Sequence, residues 1–180
     1  THPADIVMNG IMYPEEENRL AAPMFAGIPV PYGHPVDKNG DFVSASSEIG
    51  VNRYQFGAFN GEAHYDEKSK RIYAEVRINK RKAEADERGR KVLAAIEAGE
   101  PISASTGLFI DIEELDTPMT NSAGQEYKMI ARNLVPDHNA ILLDEEPAAG
   151  IETGTGMLVN GKRVEYIGNL DDSMRELEER

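Results

Sequence analysis

The stretch Arg71-Ile72-Tyr73-Ala74-Glu75-Val76-Arg77-Ile78 shows which secondary structure this chain favours. Its even-numbered positions are apolar, and its odd-numbered positions carry charged side chains or tyrosine. Alternation with a period of two is typical of a strand with one buried face, and it predicts the second arm of a hairpin over residues 56–79. Further strands are predicted within residues 4–13, 42–59, 102–115 and 126–143, the last bent or broken near Pro136.

One segment has a different character. Residues 81–98 are rich in strong helix formers, carry an apolar stripe and are followed by Gly99, which predicts an amphipathic helix. Residues 19–36 contain so many prolines that they are expected to form an extended edge or a loop. Turns are predicted at 14–18, 37–41 and 121–125.

These elements predict a fold that is mainly β with peripheral helices, in the α+β class. Short strands without β-α-β alternation favour a closed or nearly closed antiparallel β-barrel, because closure removes exposed strand edges. We assign residues 1–168 to this barrel domain, including the helix at 81–98 and a last hairpin at 157–167. Residues 169–180 have acidic residues early and apolar Met174 and Leu177 later, which predicts the start of a helical tail or linker.

Composition narrows the classes of function. The 180 residues carry a formal net charge of −13, and such a surface repels phosphate backbones, so no nucleic-acid partner is expected. No apolar run approaches the roughly 18 residues of a membrane span, and no secretion signal is recognised at the N-terminus. Cysteine is absent, which excludes disulfides and thiolate chemistry and is consistent with a reducing cytoplasm.

Three distant segments could supply the groups for acyl transfer. Ser105 lies in Ser103-Ala104-Ser105-Thr106-Gly107, and a glycine two residues after a serine lets backbone approach a substrate carbonyl. A Ser-x-Gly pattern has little specificity by itself, and Ser103 on the same predicted strand face is a rival nucleophile. His34, between Gly33 and Pro35, is the candidate base.

The third group has two candidates that are adjacent in sequence. His138 follows Asp137 on a predicted strand, so alternation is expected to direct their side chains to opposite faces, with only one facing Ser105. An aspartate is the commoner orienter of a catalytic histidine, which keeps Asp137 as the fallback. The other histidines have no such context, since His2 lies near the N-terminus and His64 in a hairpin arm.

Metal sites have weaker support. Asp37, Asn39, Asp41 and Glu48 have the spacing of a calcium loop, but Phe42 stands where the sharp turn of such a loop needs glycine. A zinc site would require His34, His64 and His138 to converge. We therefore expect no metal and no cofactor.

Taken together, these segments resemble a known protease family. The stretch His138-Asn139-Ala140-Ile141-Leu142 resembles the His-x-Ala-Leu segment of herpesvirus assemblin proteases, whose histidine is the third member of a Ser-His-His triad. Ser105-Thr106-Gly107 is similar to the Ser-x-Gly strand of tailed-phage prohead maturation proteases, which share the assemblin fold. His34 matches the upstream histidine of both, and the resemblance covers most of residues 4–167.

The resemblance implies a serine endopeptidase with Ser105 as nucleophile, His34 as base and His138 as orienter. Its candidate substrates are scaffold and major capsid proteins and the chain itself, cleaved inside a phage procapsid in the bacterial cytoplasm, and a homo-oligomer is its candidate assembly. Assemblins carry an arginine pair after the third-member histidine, whereas this chain has the acidic segment 144–150, so backbone N–H groups near Gly150 or Gly154 are the oxyanion candidates.

Two alternatives follow from the same residues. The first is a non-catalytic capsid-assembly or scaffold-docking module with the same barrel, which the missing arginines favour. The second is a calcium-binding β-domain.

Overall fold

A computed structural model describes residues 2–144 of the chain. The strands are β1 (His2–Pro3), β2 (Ile6–Met8), β3 (Ile11–Tyr13), β4 (Ala58–Asp66), β5 (Arg71–Ile78), β6 (Ser103–Thr120) and β7 (Glu126–Leu142). The helices are α1 (Glu15–Ala21), a 3-10 turn (Ala22–Phe25), α2 (Glu48–Arg53), α3 (Lys80–Ala85) and α4 (Glu87–Ala98). The mainly β, α+β character predicted from the sequence is confirmed.

The strands form two sheets. The first has the order β1-β5-β4 and contains the hairpin predicted at 56–79. The second has the order β2-β3-β7-β6 and is built on the long antiparallel pair of β6 and β7, joined by the predicted turn at 121–125. Within residues 2–144 neither sheet closes on itself, so the predicted barrel is not confirmed.

A proline-rich segment connects the two sheets. Along one side of residues 27–33, Val30 N–H donates to the carbonyl of Ala58 in β4 at 3.0 Å. Along the other side, the carbonyl of Pro29 accepts from Asn139 N–H of β7 at 3.1 Å, and that of Pro31 accepts from Ile141 N–H at 2.9 Å. The segment is extended, as expected, but it bonds to a strand on each side instead of lying at an edge. These prolines lie where only an acceptor is needed, so their missing N–H costs nothing.

Three local predictions are wrong for identifiable reasons. Residues 4–13 form the β2–β3 hairpin rather than one strand, because Asn9 and Gly10 both take positive φ, as a two-residue turn of this kind requires. Residues 15–25, expected as a turn followed by extended chain, are helical. Residues 48–53 form α2 instead of strand, because the Ser47 hydroxyl accepts from Gly50 N–H and caps the helix.

The helix predicted at 81–98 is present as α3 and α4. They are separated at Asp86, whose carboxylate accepts from the N–H groups of Arg88 and Gly89 and so begins a new helix. Gly99 ends α4 in the left-handed conformation at φ 68°, as the sequence predicted.

Two apolar clusters form the core. One joins α4 to β6, β7 and Val30, and the other joins α1 and the 3-10 turn to β5 and β7. β7 contributes Ile141 to the first cluster and Ala131 and Leu134 to the second, so His138 lies between them along the strand. The predicted hairpin at 157–167, the tail from residue 169 and the domain boundary before it lie outside the described residues.

Candidate functional site

The site is built around an irregularity in β7. Gly107 pairs with His138, but the next residue of β6, Leu108, pairs with Pro136, so Asp137 is an extra residue on one strand. Such a β-bulge interrupts the regular alternation of side chains. Asp137 and His138 consequently contact each other, with Oδ2 of Asp137 2.7 Å from Nδ1 of His138. The expectation that alternation directs their side chains to opposite faces is therefore wrong.

His34 contacts the other side of the His138 ring. Its Nδ1 atom lies 2.7 Å from Nε2 of His138, although 104 residues separate them in the chain. His34 follows Gly33, which has a φ of 77° and donates its N–H to the carbonyl of Ile141 at 2.9 Å. The backbone of β7 thus fixes the segment that carries His34, and the two rings meet edge to face with centroids 5.0 Å apart.

A loop from a third part of the chain holds Asp137. The Ser44 hydroxyl donates to Oδ1 of Asp137, and the N–H of Ala45 donates to Oδ2 at 2.8 Å. Asp137 therefore accepts from two loop groups as well as from His138. The result is a continuous series of hydrogen bonds from Ser44 through Asp137 and His138 to His34.

This series determines which ring nitrogens carry protons when both imidazoles are neutral. A carboxylate can only accept, so Nδ1 of His138 donates to Asp137. Nε2 of His138 is then unprotonated and accepts from Nδ1–H of His34. Nε2 of His34 is left unprotonated, and it can accept a proton from a third group.

Burial keeps both imidazoles neutral at pH 7. Desolvation, reinforced by repulsion from His138, lowers the pKa of His34 from 6.5 to about 4. Desolvation also lowers the pKa of His138, which is only 5% exposed, and this outweighs the attraction of Asp137. Burial alone would raise the pKa of Asp137, but the bonds from Ser44, His138 and Ala45 together lower it, so the carboxylate is charged.

Ser105 lies on the same face of the sheet as His138. Directly opposite residues of an antiparallel pair share a face, and Ser105 is opposite Ala140 while His138 is opposite Gly107. Ser105 is therefore a diagonal neighbour of His138. Ser103, opposite Leu142, is on the same face but two residues farther away. Within residues 2–144 the Ser105 hydroxyl has no hydrogen bond to either histidine.

Gly107 leaves the space that the His138 ring occupies. A Cβ atom added there would lie 2.2 Å from Cε1 of His138 and 2.6 Å from both ring nitrogens. The missing side chain makes room for the imidazole of His138, and the approach of a substrate carbonyl at Gly107 stays a prediction. Gly107 is required for the position of the orienting ring.

The Phe42 ring contacts the His34 ring. It stands at 82° to that ring with centroids 5.8 Å apart, yet 78% of the phenylalanine remains exposed. Phe42 belongs to the same loop as Ser44, and a short bridge pairs it with Val36. One loop thus contacts both ends of the hydrogen-bonded series.

The remaining candidates do not join this site. His64 stacks on Tyr73 across the β4–β5 hairpin, so the proposed zinc trio does not assemble. In the candidate calcium loop, the Asp37 carboxylate accepts from the N–H groups of Asn39 and Asp41 at 2.8 Å and 3.0 Å, which is a turn-stabilising arrangement. No group of three or more acidic or histidine side chains within residues 2–144 is placed to hold a metal ion.

The sequence analysis missed Ser44 and Ala45. Their signal was a serine-rich stretch, Ser44-Ala45-Ser46-Ser47, but nothing local indicates that it meets residue 137. The oxyanion candidates Gly150 and Gly154, and the acidic segment except Asp144, lie outside the described residues. Asp144 accepts a hydrogen bond from the Tyr32 hydroxyl at 2.6 Å.

Comparisons with known proteins add no further constraint. No protein-family model matches the chain, and neither curated sequences nor solved structures give a significant match. The resemblance to assemblins therefore stays a prediction, and the function is inferred from the residues and their geometry. Among the described residues, no helix has both the length and the apolar character to cross a bilayer.

Proposed function

We propose that this protein is a serine endopeptidase with Ser105 as nucleophile, His34 as general base and His138 as orienter. The observation that carries the proposal is the buried series in which Asp137 contacts His138 and His138 contacts His34, each at 2.7 Å. A histidine fixed in this tautomer has a free Nε2, as activation of a serine requires. Ser105 is the nearer of the two candidate serines by strand register.

The proposed reaction has two stages. Ser105 Oγ bonds to the scissile carbonyl carbon while Nε2 of His34 accepts the hydroxyl proton. His34 then gives that proton to the amine as the C–N bond breaks, leaving an ester on Ser105. A water molecule repeats the sequence, releases the acid and restores the hydroxyl.

Asp137 has a supporting part in this proposal. The sequence predicted Asp137 as the alternative to His138. Its carboxylate instead contacts the His138 ring and accepts a hydrogen bond from Nδ1–H. When His34 becomes protonated, His138 accepts the bond from its Nδ1–H, and the negative charge of Asp137 stabilises the resulting cation from farther away. A neutral imidazole next to the base stabilises that cation less than a direct carboxylate would, so we expect slow turnover.

The biological setting rests on the resemblance. The proposed substrates are phage scaffold and major capsid proteins and the chain itself, cleaved inside the procapsid in the bacterial cytoplasm. An assemblin-like, nearly closed barrel and a homo-oligomer belong to the same proposal. The hydrogen bonds of residues 27–33 to both β4 and β7 support the barrel proposal, since they connect the two sheets.

Variants at the two serines test the nucleophile. We expect Ser105→Ala to abolish cleavage of co-expressed scaffold and labelling by a fluorophosphonate probe, with an unchanged circular dichroism spectrum. Ser103→Ala is the matched control and should retain both. Loss of labelling in Ser103→Ala with retention in Ser105→Ala would move the nucleophile to residue 103.

A non-catalytic assembly or scaffold-docking module is the second candidate. The absence of a hydrogen bond between the Ser105 hydroxyl and either histidine within residues 2–144 favours it. The same probe separates the two, because only an activated serine reacts. A folded wild-type chain that stays unlabelled while binding scaffold would establish the module.

A further inference from the structure

Asp137 occupies a position that strand pairing does not fix. As the extra residue of the bulge it has no partner on β6, where Gly107 and Leu108 pair with its two neighbours. A carboxylate there can rotate toward water unless other groups hold it. Because His138 must donate to this carboxylate for His34 to have a free Nε2, the orientation of Asp137 decides the proton arrangement of both rings.

The holding groups come from the loop before α2. Ser44 donates its hydroxyl proton to one carboxylate oxygen, and Ala45 N–H donates to the other, the one that also contacts His138. Together they fix both oxygens. The titratable group facing Asp137 is His138, with His34 behind it; the loop contributes two uncharged donors.

The loop is itself held in place. The Ser46 N–H donates to the Ser44 hydroxyl at 3.1 Å, and the Gln55 side chain donates to the Ala45 carbonyl at 3.0 Å. Gly50 of α2 packs so closely that a Cβ there would lie 2.5 Å from the Ala45 carbonyl oxygen. The start of α2 thus forms a rigid base for Ser44.

We propose that Ser44 is a positioning residue of the candidate active site, holding the Asp137 carboxylate on His138 so that the pair of histidines keeps one proton arrangement. The proposal rests on the proposed peptidase function for its catalytic consequence. Its structural part, the control of the His138–Asp137 bond by Ser44, can be measured in the resting protein.

The test uses three variants of the full chain. Ser44→Ala removes the donor, Ser44→Thr keeps a hydroxyl, and Ser46→Ala is the matched control on the same loop. The exposed Ser46 side chain has no hydrogen bond among the described residues, and its backbone N–H, which alanine keeps, donates to the Ser44 hydroxyl. If Ser44→Ala does not fold, Ser44→Cys replaces it, because a thiol is of similar size but a weak donor.

The first measurement is proton NMR of the imidazole N–H that His138 shares with Asp137. We expect Ser44→Ala to shift or broaden this downfield resonance by exchange, while Ser44→Thr and Ser46→Ala retain it. An unchanged resonance in Ser44→Ala overturns the proposal. So does an equal loss in Ser46→Ala, which would show a general effect of the loop.

The second measurement is kcat/KM as a function of pH. We expect Ser44→Ala to lose about tenfold in kcat/KM, since a misplaced catalytic group is costly. The fall of kcat/KM at low pH should also begin at a higher pH. The Ser44 donor favours the charged form of Asp137, so its loss raises the pKa of that carboxylate. Ser44→Thr should restore both, and a parallel loss at every pH would overturn the proposal. A wild-type chain unreactive toward the serine probe contradicts the peptidase function, while the NMR comparison still decides the part of Ser44.

Discussion

The two ends of the β6–β7 pair differ sharply, although they belong to the same two strands. At the inner end, His138 and Asn139 are 5% and 7% exposed, and the polar atoms of the candidate site bond to one another. Toward the outer end, Phe109 and Met119 are 58% and 49% exposed, although Ala131 and Leu134 of β7 belong to the second apolar cluster. The polar contacts there are surface ion pairs such as Arg132–Glu113. Hydrogen bonds are stronger where water is excluded, so the inner end should be far more sensitive to change.

Substituting one glycine at each end tests this difference most strongly. We expect Gly107→Ala to lower the free energy of unfolding by about 3 kcal/mol, because its Cβ would overlap the His138 ring. It should also abolish probe labelling if the peptidase function holds. Urea unfolding monitored by circular dichroism measures the stability.

Gly124→Ala in the outer turn is the control for this prediction. Gly124 has a φ of 80°, and among the described residues no atom apart from those of Gly124 and its chain neighbours lies within 4 Å of the position that an alanine Cβ would take, so only backbone strain of about 1 kcal/mol is expected. Equal losses for the two variants would show that the inner end is not more tightly packed.

Acid should destabilise the inner end by a smaller amount. Between pH 6.5 and about 4 the unfolded chain binds a proton at residue 34 that the folded chain does not. The free energy of unfolding should therefore decrease as the pH falls through this window, by on the order of 2 kcal/mol after allowance for partial exposure. Urea titrations of wild type and His34→Gln across this range measure the difference.

The ion pairs of the outer end are the same in both proteins, so they do not contribute to the difference between the two sets of titrations. The free energy of unfolding of His34→Gln should depend less steeply on pH than that of wild type. A steeper or identical dependence in the variant would show that the imidazole of His34 is not held neutral by burial.

The smallest effect is expected at the outer ion pair. Arg132 and Glu113 are 2.7 Å apart, but their side chains are 38% and 47% exposed. Arg132→Ala should cost about 0.5 kcal/mol and leave probe labelling unchanged. Adding salt should reduce the difference in the free energy of unfolding between wild type and Arg132→Ala. A loss above about 2 kcal/mol would show that this ion pair is not a solvated surface contact.

The regular parts of the fold were predictable because local patterns specify them. Alternation identified the 56–79 hairpin and put Ser103, Ser105 and Gly107 on one face, as strand pairing requires. Helix formers and Gly99 identified α3 and α4. The proximity of His34 and His138 came from the resemblance, since no local pattern relates residues 104 positions apart.

The rest depended on tertiary structure. The bulge at Asp137 arises from the way β7 pairs with β6, and Pro136 only hints at an irregularity there. Ser44 meets Asp137 because α2 forms and packs, whereas the sequence favoured strand in that region. Residues 27–33 lie between β4 and β7 because both strands form hydrogen bonds with them that require no N–H group from a proline.

The attachment of residues 27–33 to both sheets has a consequence for control. His34 directly follows residues 27–33, whereas His138 belongs to only one sheet. The distance between the two rings therefore depends on how the two sheets are aligned. If the peptidase function holds, a force or partner that shears one sheet past the other would separate the two rings and lower activity without contacting either of them. Activity would then require the two sheets to be aligned.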